Sequence, residues 1–80
     1  MTESFVQLDQ LPSQTIATIK KIDGGFGILK KLQVMGIRVG QKITINSKQP
    51  FHGPITIGIK GRELTIGRGM AKKILVEVIA

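Results

Sequence analysis

Ile55-Thr56-Ile57-Gly58-Ile59-Lys60-Gly61-Arg62-Glu63-Leu64-Thr65-Ile66 alternates apolar with polar or small residues on both sides of one glycine-containing break. Side chains of a strand point to opposite faces in turn, so the stretch reads as two half-buried antiparallel strands joined by a tight turn. Taking Gly61-Arg62 as a two-residue Gly-X turn pairs Lys60 with Glu63, Ile59 with Leu64 and Ile57 with Ile66. In that register every large apolar residue of the hairpin lies on one face, and that face needs a core beneath it.

The same period continues outward from the hairpin. Lys42 to Lys48 sets Ile43 and Ile45 against Lys42, Thr44, Asn46 and Lys48, and Gln49-Pro50-Phe51-His52-Gly53-Pro54 forms a loop between this strand and the hairpin. Thr15 to Ile22 is rich in β-branched residues and reads as the first strand; Ile74 to Ile79 is the last, with Ile74, Val76 and Val78 inward. Between the first two strands the period changes. Ile28, Leu29, Leu32 and Met35 recur at three-and-four spacing, which predicts one amphipathic α-helix over about 26–35. Gly36 is placed to take the left-handed position after it, with Ile37 returning to Leu32 as in a Schellman motif. Met70-Ala71-Lys72-Lys73 suits a short helical turn over about 69–73. Leu8 and Leu11 are the anchors of a polar lead-in, of which residues 1–10 are expected to be poorly ordered in part.

Short strands in this number cannot bury their apolar faces as an open sheet. Closing on themselves removes the edges, so the fold class is mainly β: a small SH3-like barrel of about five strands with one inserted helix. The 80 residues leave no room for a second domain, so 1–80 is read as one unit.

Composition narrows what such a unit can do. With no cysteine there is neither a disulfide framework nor a thiolate metal site, and the chain is expected to be cytoplasmic. Twelve Lys and Arg against five Asp and Glu give a net charge of +7, a bias towards anionic partners. The cations are dispersed as pairs and singles. The aromatics are three Phe, with no Trp or Tyr, which tells against a base-stacking nucleic-acid surface. The five acids, Glu3, Asp9, Asp23, Glu63 and Glu77, are scattered, and acid–base or nucleophilic catalysis needs groups that converge. No catalytic residue and no cofactor site is assigned, and the protein is read as a non-enzyme. His52 stands alone in its loop and is a weak metal candidate only; ferrous iron is not supported by ligand spacing. Gly24-Gly25-Phe26-Gly27 lacks the spacing of a phosphate-binding fingerprint and is read as a strand-to-helix turn.

The succession Leu29-x-x-Leu32-x-x-Met35-Gly36-Ile37-x-x-Gly40-x-x-Ile43, then Gly53-Pro54-Ile55-x-Ile57, then Gly61-x-x-Leu64-x-Ile66, then Ala71-x-x-Ile74-x-Val76 resembles the FeoA family of bacterial ferrous-iron transport proteins along about 11–78. Val39 departs from the pattern, where the family often has Pro before the Gly. The resemblance implies an SH3-like barrel related to the C-terminal domain of iron-dependent repressors. It also implies a cytoplasmic accessory role for a FeoB-type membrane transporter, whose cytosolic part carries a GTPase domain. The matching positions are structural, so partner-binding candidates come from expected exposure: Lys30, Lys31 and Val34 on the helix, Phe51 and His52 in the loop, and the basic group Lys60, Arg62, Arg68, Lys72 and Lys73. The partner is expected to be the transporter's cytosolic GTPase domain or its membrane-proximal surface, with peripheral membrane contact in reach. A nucleic-acid-binding barrel and a transition-metal-binding or sensing domain are the alternative functions.

Overall fold

The alternating segments form strands and the three-and-four segment a helix in a computed structural model that describes residues 5–79. In chain order the elements are β1 (Val6–Gln7), a 3₁₀ turn (Leu8–Gln10), β2 (Ile16–Ile22), α1 (Phe26–Val34), β3 (Lys42–Lys48), β4 (Ile55–Ile59), β5 (Arg62–Ile66), α2 (Arg68–Ala71) and β6 (Ile74–Val78). The strands make one antiparallel six-stranded sheet in the order β1-β6-β2-β3-β4-β5, an SH3-like arrangement. β1 was not anticipated. It pairs Val6 with Val76 and Gln7 with Leu75, and the neighbouring Leu8 and Leu11 are buried; residues 1–4 lie outside those described.

The inner face gathers Ala17, Ile19, Ile43, Ile45, Ile55, Ile57, Ile59, Ile66, Ile74 and Val76, with Leu32 of α1, Ile37 and Ala71 closing over them. Each large aliphatic group so placed contributes about 1.5–3 kcal/mol by leaving water. Two bulges let the sheet curl round this core, one between Ile19 and Lys21 and one between Ile45 and Ser47. The second changes a sequence expectation. An extra residue at Asn46 reverses the facing, so Lys48 pairs with Ile55 on the inner side, and its amine donates to the carbonyls of Asp9 (2.9 Å) and Leu11 (2.8 Å). Val78, expected inward, is exposed at the strand end.

The hairpin register also differs. Ile59 pairs with Arg62, Ile57 with Leu64 and Ile55 with Ile66, a slide of two residues. The turn is Lys60-Gly61, both with positive φ (50° and 78°), the type I′ geometry whose twist matches that of the flanking strands. Because side chains alternate with period two, this slide leaves the apolar set on the same face.

The end of α1 is as expected. Ile37 N–H donates to Leu32 O (2.9 Å) and Gly36 N–H to Gln33 O (3.0 Å), the two bonds of a Schellman motif, with Gly36 at φ 88°. A Cβ at Gly36 would collide with the Arg62 guanidinium, which donates to Met35 O at 2.9 Å. Gly36→Ala is therefore expected to cost about 1–3 kcal/mol in chemical denaturation, from left-handed strain and displacement of Arg62. A loss within measurement error would contradict this helix end.

Candidate functional site

Of the ten surface residues singled out from the sequence, Phe51 and His52 precede β4, and Lys60 and Arg62 follow it. That strand runs from the Gln49–Pro54 loop to the Lys60-Gly61 turn, a span of roughly 17 Å. The α1 end holds Lys30, Lys31 and Val34 on the helix itself. Arg62, bonded to Met35 O, brings the Lys60 turn up to the C-terminal end of α1. Asp23 N–H donates to Lys73 O (2.6 Å), which brings Lys72 and Lys73 up to its N-terminal end. Phe51 and His52 are at the other end of β4, and Arg68, one helical turn before Lys72, reaches their loop.

One residue at the α1 end was missed. Phe26 is 81% exposed and so is Val34; with Lys30 they occupy positions i, i+4 and i+8, a single outward stripe, while Ile28, Leu32 and Met35 pack inward. The signal was in the sequence, because Phe26 falls on the Lys30 side of the helix and not on the Leu32 side.

The other end is built around Arg68. It is not a free surface cation: Nη2 donates to Gln49 O (3.2 Å), Nε to Gly53 O (3.1 Å) and Nη1 to Asp9 O (3.5 Å). One guanidinium thus holds both stems of the loop and ties them to the 3₁₀ turn, bridging the gap between β5 and β1, which do not pair with each other. Within the loop Gln49 N–H donates to Pro54 O (3.1 Å) and Gly53 N–H to Pro50 O (3.2 Å). The two residues at the tip, Phe51 (φ 59°) and His52 (φ 60°), both take the left-handed conformation. For side chains of this size such backbone costs of order 1–3 kcal/mol per residue. It is held in place to present a phenyl ring that is 97% exposed.

A third feature lies on the outer wall. A groove of about 400 Å³ is lined by Lys42, Thr44, Asn46 and the residues from Gly58 to Glu63. Asn46 Nδ2 donates to Glu63 Oε2 (2.7 Å) across Gly58, so the groove's carboxylate already has a partner. Among the described residues no group of three or more His, Cys, Asp or Glu side chains could hold a metal ion. Asp9 is buried with Oδ1 unbonded, and nothing in the structure explains it. Among the described residues no helix is long and apolar enough to cross a membrane.

A curled antiparallel sheet with a capping helix, a clamped aromatic loop and cations along the helix defines a small SH3-like domain. The FeoA domain family matches residues 6–78, and the chain belongs to it: it is a member of the ferrous-iron transport protein A family, which is not a known enzyme family. It is 46% identical over 59 residues to a Methanocaldococcus jannaschii protein that carries the name of an Fe(2+) transport protein A, covering 74% of this chain and 70% of that one. The FeoA-like protein of Clostridium acetobutylicum superposes with a TM-score of 0.88 at 28% identity, over 99% of this chain and 92% of the other. A manganese-dependent transcriptional repressor shares the fold over 98% of this chain and 38% of its own length, with a TM-score of 0.90 at 21% identity.

Proposed function

We propose that this protein is a non-enzymatic, cytoplasmic accessory protein of ferrous-iron uptake that binds and regulates a FeoB-type transporter through the transporter's cytosolic GTPase domain. Family membership supports the transport role. The observation that carries the contact is Phe51. An aromatic ring 97% exposed, on a strained tip fixed by Arg68, meets the two requirements of an anchor residue: large apolar area and little freedom left to lose on binding. A base-stacking role is not favoured, because the chain has three Phe and no Trp or Tyr from which to build a stacking platform.

Titration of the transporter's cytosolic domain with the purified protein tests the reading. Saturable binding at physiological salt is expected, together with reduced iron uptake when the gene is deleted. Absence of both would sink it.

A further inference from the structure

We propose that the α1 end docks on an anionic lipid surface, with Phe26 and Val34 entering the headgroup layer and Lys30 and Lys31 facing the lipid phosphates. The site differs from the Phe51 loop and does not depend on the contact proposed there.

Charge carries the first part of the inference. From Phe26 to Gln41 the sequence contains no acidic residue but holds Lys30, Lys31 and Arg38, all exposed. Among the described acids, Glu77 is within 3.6 Å of Lys20 and Asp9 is buried; Asp23, on the approach to α1, and Glu63, next to Arg62, are the carboxylates nearest this end and are outnumbered by its cations. A surface of this kind is drawn to anionic headgroups within a Debye length, and the attraction falls with salt.

The apolar groups carry the second part. Phe26 and Val34 are each 81% exposed, and Val39, in the turn after α1, is 57% exposed. They do not form one patch: Lys30 lies between Phe26 and Val34 on the same stripe. A folded protein partner would need a separate pocket for each, with a counter-charge between them. A fluid headgroup layer takes separate side chains one at a time and supplies anionic phosphates between them.

The test is co-sedimentation of the full chain with vesicles of phosphatidylcholine alone and of phosphatidylcholine mixed with phosphatidylglycerol. Binding is expected to the mixed vesicles only, and to weaken steeply as salt is raised. Substituting Phe26→Ser with Val34→Ser should reduce vesicle binding roughly tenfold while the melting temperature stays unchanged, because both side chains are exposed. Lys30→Glu with Lys31→Glu should abolish it, and Phe51→Ala should leave it intact. The proposal is overturned if mixed vesicles are not bound at low salt, or if the serine pair binds them as well as wild type. The first result, combined with serine-pair loss of binding to the transporter's cytosolic domain, would mark the α1 end as a protein face. Vesicles contain no protein, so failure here is separate from failure of the Phe51 contact.

Discussion

Leu32→Ala is expected to lower the unfolding free energy by about 2–5 kcal/mol, the range for deleting most of a buried leucine from a core that relaxes incompletely. Leu32 is the one fully buried side chain of α1 and is 0% exposed. Its carbonyl also receives the Ile37 amide, so the residue fixes both the position of the helix over the sheet and the geometry of its end. Small domains have about 5–15 kcal/mol in total, so this substitution removes a large share. In a urea titration the midpoint should fall sharply with little change in slope. A loss below about 1 kcal/mol would mean that α1 is not anchored as described, because such small losses belong to surface sites. The same variant should lose vesicle binding, since the outward stripe is oriented by the inward side chain.

Arg68→Ala is expected to act on stability and on binding together. It removes donors to Gln49 O, Gly53 O and the main chain of the buried Asp9, at a cost of about 1–3 kcal/mol. More telling is what happens to the loop. Without the clamp, the left-handed backbone at Phe51 and His52 has less to hold it, so the Gly53 amide, bonded to Pro50 O, should exchange with solvent faster. Affinity for the transporter's cytosolic domain should fall although Phe51 is still present, because ordering the loop is then added to the cost of binding. Arg68→Lys should restore little, since an ammonium cannot reach three carbonyls with a planar fork. Unchanged Gly53 exchange in Arg68→Ala would show that the clamp is not what orders the tip.

These two residues show what the sequence did and did not disclose. Leu32 and the Gly36-Ile37 helix end were legible because periodicity and a glycine's left-handed preference are local properties. The strands were legible for the same reason. Their exact pairing was not, because Gly61 fits either turn position and a slide of two residues leaves the apolar face undisturbed; sheet twist decides in favour of Lys60-Gly61. The bulge at Asn46 left no local mark either, and with it went the true direction of Lys48. Arg68 was read as a surface cation because its acceptors, at residues 9, 49 and 53, are remote in sequence. Val34 and Phe51, drawn from expected exposure, are both exposed, and Phe26, read only as part of a glycine-rich turn, is exposed with them. Binding surfaces depend on which side chains the core leaves outside, and that is settled only by the fold.

On the proposed function, a fixed aromatic in the Gln49–Pro54 loop anchors contact with the cytosolic domain of a FeoB-type transporter. Side-by-side calorimetric titration of that domain with wild type and with Phe51→Ala tests it most directly. Saturable wild-type binding is expected, with a loss of about 2 kcal/mol or more in the variant and equal melting temperatures for the two proteins. Equal affinities would contradict it.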